Sequence, residues 1–324
     1  MADLVRIAVI GAGSMGANHA RVLAELPDAE LVAVCDADEA RARAAAHGAK
    51  AYRDYRDLLA REQLDAITIA VPTRLHAEVA LACIDRALPL LVEKPLGADL
   101  DECLRLRDAA VAADVPLMVG HVERFNPVVQ EIKRCIEGGE FGRVFEVQAT
   151  RIGPFFERER DVGVVHDLAT HDIDVLRYVF ASEITHVSAI TQSGIRTPFE
   201  DALTALLRLD NGVAAALNVN WLSPDKDRTL WGAAEGCTFT GRLWLGSVQI
   251  NRGGQPADLD VRQLRDRGEP LRHELEAFLR VARREEGPTV TADDAVAAMR
   301  VVEALIESAR SGETVRLTAE GAAK

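Results

Sequence analysis

Asp167 and His171 are the pair of residues in this chain best suited to moving a proton. They lie four apart in the stretch Val164 to Tyr178, which reads as a helix. On that reading Asp167, His171, Asp174 and Tyr178 share one stripe, and Leu168, Val175, Leu176 and Val179 form the packed face. An imidazole titrates near neutral pH, and a carboxylate one turn away orients and tunes it. Spacing alone equally allows an acidic first turn followed by an interfacial histidine. His166 and His171 beside these carboxylates also raise the question of a metal. Nothing else has ligand spacing, so none is expected.

A second charged pair, Glu93-Lys94, stands before Pro95 and directly after the apolar run Leu88 to Val92. Charged residues at the carboxyl end of a buried parallel strand lie where open α/β sheets bind ligands. Lys94 there is placed to hold or polarise a substrate oxygen, and Pro95 restricts the backbone that aims it. A solvated Glu-Lys loop is the plain alternative.

Nearer the start, Gly11, Gly13 and Gly16, with Ser14 and Met15 between them, follow the short apolar strand Val5 to Ile10 and open a helix-spaced segment. In that context Gly11 permits a tight turn, Gly13 lets backbone approach a pyrophosphate, and Gly16 allows close helix–strand packing. The helix start would then present free N–H groups to the phosphates. A second strand, Leu31 to Cys35, ends at Asp36, twenty residues beyond Gly16. A carboxylate there accepts from the ribose hydroxyls and repels a 2′-phosphate, so NAD is expected over NADP.

The elements that must position these groups divide near residue 122. Up to that point strands and helices alternate, and continuous apolar strands predict a parallel sheet covered on both faces. Beyond it, Val144 to Gln148, Ile184 to Ile190, Ala202 to Leu209, Val213 to Trp221 and Leu243 to Ile250 are longer and more alternating. Asp210-Asn211-Gly212 is a hairpin signal between two of them. The expected architecture is α/β. It has a Rossmann dinucleotide-binding domain over residues 1–122 and a domain over 123–324 with a largely antiparallel, open sheet. The closing helices, Glu269 to Arg284 and Asp293 to Ser311, are free to pack back on the first domain.

The 324 residues suffice for two domains, and the net charge of −13 argues against a nucleic-acid partner. No apolar stretch approaches the ~20 residues a membrane span needs, and no signal peptide is visible. The five cysteines lack a CxxC pair and read as reduced thiols, so a cytoplasmic protein without membrane association is expected.

These stretches in this order resemble the Gfo/Idh/MocA oxidoreductases over nearly the whole chain. The resemblance runs through Gly11–Gly16, Ala70-Val71-Pro72-Thr73 with His76, Glu93-Lys94-Pro95, Arg124-Phe125 and Asp167 with His171. It implies hydride transfer between a nicotinamide and a carbinol carbon of a sugar or cyclitol. Lys94, Asp167 and His171 take the catalytic positions, and the open sheet forms a homodimer or homotetramer. It also adds Val71, Pro72, Thr73, His76, Glu93 and Lys94 to the cofactor-binding set. The runs 120–127 and 151–164 further resemble the UDP-N-acetylglucosamine 3-dehydrogenases, which implies oxidation at C3 of that nucleotide sugar. Arg124, Arg151, Arg158 and Arg160, with Lys94, Asp167 and His171, are then the substrate-binding candidates. Arginines 151, 158 and 160 would oppose the diphosphate. The alternatives are an inositol or simple-sugar dehydrogenase, a redox-neutral hydrolase that borrows hydride, and a non-catalytic NAD sensor. Two positions depart from the family pattern: Arg86 to Pro89 replaces a glycine-containing turn, and His166 replaces an apolar residue.

Overall fold

The computed structural model describes residues 4–155, 162–253 and 259–317, which form two compact units, 1–122 with 271–296 and 123–270 with 297–324. In the first unit six strands, β1 (Val5–Ile10), β2 (Ala29–Cys35), β3 (Lys50–Tyr52), β4 (Ala66–Ile69), β5 (Leu90–Glu93) and β6 (Leu117–Gly120), make one sheet in the order β3-β2-β1-β4-β5-β6. Every pairing is parallel. This is the doubly wound dinucleotide-binding order, whose ligand crevice lies at the carboxyl ends of the strands. β4, β5 and β6 are buried at every residue, as strands covered on both faces must be. The helices α1 (Ser14–Glu25), α2 (Glu39–Ala45), α3 (Tyr55–Arg61), α4 (His76–Ile84) and α5 (Leu100–Ala112) supply the crossovers. Asp38, Asp54 and Asp99 cap α2, α3 and α5 by accepting first-turn N–H groups.

In the second unit α6 (Pro127–Glu137) and α7 (Thr170–Phe180) accompany nine strands. These are β7 (Val144–Ile152), β8 (Ile184–Ser193), β9 (Glu200–Leu209), β10 (Ala214–Asn220), β11 (Asp227–Ala234), β12 (Thr238–Arg242), β13 (Ser247–Asn251), β14 (Leu259–Gln263) and β15 (Val315–Arg316). Their order is β14-β13-β12-β11-β7-β10-β9-β8-β15, antiparallel except where β7 meets β10. The expected hairpin joins β9 to β10. Along β9, Asp201, Leu203, Ala205, Leu207 and Leu209 are buried while Leu206 between them is 65% exposed. One face of the sheet is therefore core and the other open. α6 packs against α7, β12 and β13. The run Leu243 to Ile250 is not one strand. Its first four residues turn the chain between β12 and β13, with Gly246 at φ +67° supplying the left-handed step. Two further helices follow, α8 (Pro270–Ala282) and α9 (Ala292–Ser311). α8 lies in the first unit from Leu271 onward, and the division between units falls inside α9.

Among the described residues no helix is long and apolar enough to cross a membrane. All five cysteines are buried free thiols, and burial pushes those of Cys35 and Cys83 up to about 12.

Candidate functional site

The nucleotide-binding half is built at the carboxyl end of β1. Gly11 has φ +98°, its N–H donates to the Cys35 carbonyl at 2.7 Å, and a Cβ there would meet the Ala70 carbonyl. Only glycine makes that turn. A Cβ on Gly16 would overlap the Gly11 carbonyl oxygen, so α1 crosses the strand end in direct backbone contact. At Gly13 a Cβ would meet nothing within 4 Å, so packing places no demand for glycine there. The open space lies beside the first turn of α1, which has no side-chain cap and no acidic residue. Its N–H groups are available to an anion. Ser14 is exposed and Met15 half-buried. Asp36 is half-buried beyond β2; its Oδ2 accepts the Ala12 N–H at 2.7 Å and its Oδ1 the Asp38 N–H at 2.9 Å. The glycine turn thus holds this carboxylate in place. Glycine cradle, uncapped helix start and anchored carboxylate together fit a dinucleotide.

Val71 is half-buried and Pro72 exposed, whereas Thr73 and His76 are buried. His76 is read from the family resemblance as a cofactor ligand, but the structure uses its ring otherwise. Its Nδ1 lies 2.9 Å from the Pro95 carbonyl oxygen and its Nε2 2.9 Å from that of Val71. The ring thereby ties the loop after β4 to the loop after β5. Glu93 also turns inward. Its Oε1 lies 3.0 Å from His19 Nε2, its Oε2 accepts the Lys94 N–H at 3.2 Å, and its side chain packs over Gly120. Burial works to raise the Glu93 pKa, yet the hydrogen bond and charge of His19 bring it below the usual value. Lys94 is half-buried, and its bond to Pro95 is cis.

Glu274 of α8 completes this buried group and has no signal in the sequence. It is 0% exposed, and neither carboxylate oxygen has a hydrogen-bond partner among the described residues. One ligand-type atom from each of His19, Glu93 and Glu274 lies within 4.8 Å of the others. Burial, and then the charge of Glu93, raise the Glu274 pKa well above the usual carboxylate value.

The catalytic candidates of the second unit lie where a single helix was expected. Residues Val165–Ala169 form a wide π-helical turn before α7 begins at Thr170. Such turns insert a residue and recur at functional sites. The four-residue stripe is therefore split. Asp167 and His171 are half-buried, while Asp174 is 0% exposed. Asp174 is gripped by Arg124 through Nη2–Oδ1 at 2.6 Å and Nε–Oδ2 at 2.9 Å. Tyr178 lies beneath Arg124 and Lys133, 5.0 and 4.5 Å from its ring centre. Burial pushes the His166 pKa down, against a smaller opposing pull from Glu200, so at neutral pH this imidazole is uncharged.

Arg151 does not stand open to a diphosphate. It is 2% exposed, with Nε and Nη2 on the two oxygens of Asp172 at 2.8 and 3.0 Å and Nη1 on Glu123 Oε1 at 2.9 Å. Burial works against its charge, and Asp172 and Glu123 more than offset that. Arg124 and Arg151 are thus reassigned from substrate binding to holding α7 in place. Arg158 and Arg160 lie outside the described residues. A different cation occupies the neighbourhood: Arg228, directly opposite Arg151 across β7 and β11, with Lys226 two residues before it. The available signal was two cations closely spaced at the start of a strand, Lys226 just before β11 and Arg228 its second residue.

Known proteins resemble this chain throughout. Residues 5–121 match the family model described as "Oxidoreductase family, NAD-binding Rossmann fold", and residues 129–237 match the "GFO/IDH/MocA C-terminal domain". Inositol 2-dehydrogenase 2 of Saccharopolyspora erythraea is 32% identical over 96% of this chain and 94% of its own. UDP-N-acetylglucosamine 3-dehydrogenase GnnA from Acidithiobacillus ferrooxidans shares the fold at TM-score 0.85, with 24% identity, covering 95% of this chain and 98% of that one. An oxidoreductase from Agrobacterium radiobacter, solved with NAD+, L-tartaric acid and magnesium, does so at 0.86, with 20% identity over 96% and 98%.

Proposed function

This chain belongs to the Gfo/Idh/MocA oxidoreductase family, and from that premise we propose that it oxidises C3 of UDP-N-acetylglucosamine. The coarser activity is that of an NAD-dependent dehydrogenase acting on a CH–OH group of a sugar or polyol. The finer reading is carried by one observation. The runs 120–127 and 151–164 resemble those of the UDP-N-acetylglucosamine 3-dehydrogenases, and described residues within them brace α7, the helix that carries His171. Arg151 pairs with both Glu123 and Asp172, Arg124 pairs with Asp174, and Asn126 donates to Glu123 at 2.9 Å. A second reading, oxidation of a free inositol, is supported by the inositol 2-dehydrogenase at 32% identity.

Gly11, Gly13, Gly16 and the N–H groups of Ser14 and Met15 would hold the cofactor's pyrophosphate, and Asp36 its ribose. When bound, the nicotinamide supplies the hydride acceptor. His171 takes the substrate hydroxyl proton, Asp167 orients the imidazole, and Lys94 Nζ donates to the oxygen as negative charge grows on it. The exposed face carrying Ile190 and Leu206, 70% and 65% exposed, supports a homodimer or homotetramer, which light scattering tests. The reaction is tested by following NADH formation with UDP-sugars, free sugars and inositols. NADH from inositols but from no UDP-sugar would replace the first reading with the second.

A further inference from the structure

Arg228 and Lys226 are cations two residues apart, and the carboxylate that Arg228 faces, Glu123, is already committed to Arg151. Arg228 sits opposite Arg151 in the antiparallel register, and like charges in that position repel. Arg151 is compensated, because it takes both oxygens of Asp172 and one of Glu123. Arg228 is left with an ion pair of 3.5 Å to that same Glu123, beyond hydrogen-bonding reach. Among the described residues its guanidinium makes no hydrogen bond, although its side chain is only 32% exposed. Lys226 has no carboxylate partner among the described residues; its ammonium rests 3.3 Å from the centre of the Trp244 ring. Burial and then mutual repulsion depress both pKa values, Arg228 and Arg151 acting on Lys226, and Arg151 acting on Arg228. The charge of Asp167 is near enough to act on Arg228 in the opposite sense. Arg228 is therefore within electrostatic reach of the proposed catalytic carboxylate.

We propose that Arg228 and Lys226 form an anion subsite that takes a phosphate of the substrate, Arg228 through a forked pair of hydrogen bonds and Lys226 as a point charge. A diphosphate brings about two negative charges and several acceptor oxygens to a guanidinium whose donors are unused. A neutral cyclitol brings neither. The subsite rests on the reading of the substrate as a nucleotide-linked sugar, and it replaces Arg151 as the group that recognises the phosphates.

Calorimetric titration of the full-length protein with UDP and with uridine tests the assignment. The wild type is expected to bind UDP more tightly than uridine. Arg228→Ala should weaken UDP about ten- to a hundredfold, as loss of charged hydrogen bonds does, while uridine binding stays at its wild-type level. Lys226→Ala should weaken UDP less, and Arg228→Lys should fall between wild type and Arg228→Ala. Removing either cation relieves repulsion, so neither alanine variant should melt below the wild type. UDP affinity unchanged in both alanine variants overturns the subsite, as does equal weakening of UDP and uridine. A wild type that does not bind UDP overturns it as well. If Arg228 governs UDP affinity but no UDP-sugar yields NADH, the subsite stands and the proposed reaction fails.

Discussion

Replacing Glu274 by glutamine should make the first unit progressively more stable than the wild type as pH rises. The carboxyl is wholly buried without a hydrogen bond among the described residues, beside Glu93 and His19. Its folded pKa lies well above the ordinary 4.5. The folded state therefore keeps a proton that the unfolded state releases above about pH 4.5. Stability from this group is whole below that pH and drains away as pH climbs toward the folded pKa. The slope is about 1.4 kcal/mol for each pH unit between the unfolded and the folded pKa. For a body of about 150 residues each such pH unit corresponds to roughly 3–6 °C in Tm. Glutamine copies the shape of the neutral acid and cannot ionise, so the variant lacks this slope. Glu93 contributes a slope of opposite sign, because its folded pKa is lowered, but it is present in both proteins and cancels to first order. Melting curves of wild type and Glu274→Gln from about pH 4.5 to 7.5 make the measurement. A Tm difference that stays flat over that range would mean Glu274 ionises normally, and the burial argument would be wrong.

Gly16→Ala should abolish soluble folded protein, because its Cβ overlaps the Gly11 carbonyl, whereas Gly13→Ala should fold normally and bind NAD more weakly; solubility and NAD titration separate the two. Asp36→Ala should erase the preference for NAD over NADP, and an unchanged ratio of kcat/KM for the two cofactors would remove Asp36 from that role. Lys94→Ala and His171→Ala should retain NAD binding while losing about 10²–10⁴ in kcat, and wild-type kcat in either would dismiss its assignment. Asp174→Ala leaves Arg124 buried without this partner and should cost about 3–5 kcal/mol. A loss under about 1 kcal/mol in urea denaturation would show that the pair does not hold α7.

The nucleotide-binding half was legible because its geometry is local. A strand, three glycines, a helix and a carboxylate twenty residues on are joined by short-range sterics, and the chain has little freedom to arrange them otherwise. Four strands of the second unit, β7 to β10, and the hairpin at Asp210 to Gly212 were readable for the same reason, period two and turn chemistry being properties of neighbours, whereas β11, β12, β14 and β15 were not anticipated. Charge pairing is not such a property. Whether Arg151 meets a phosphate or Asp172, or Arg124 a ligand or Asp174, depends on which strand lies under which helix. The linear spacing of arginines among carboxylates carries no trace of that choice. The π-helical turn at Val165–Ala169 was hidden too, since a widened turn has nearly the same apolar pattern as an α-helix. The proximity of Glu274 to His19 and Glu93, and of Arg228 to Arg151, arises from α8 returning to the first unit and from β11 adding beside β7. Local preferences decide which elements form. Burial decides which titratable groups are brought together, and at Glu274 it has left two carboxylate oxygens without a hydrogen-bond partner among the described residues.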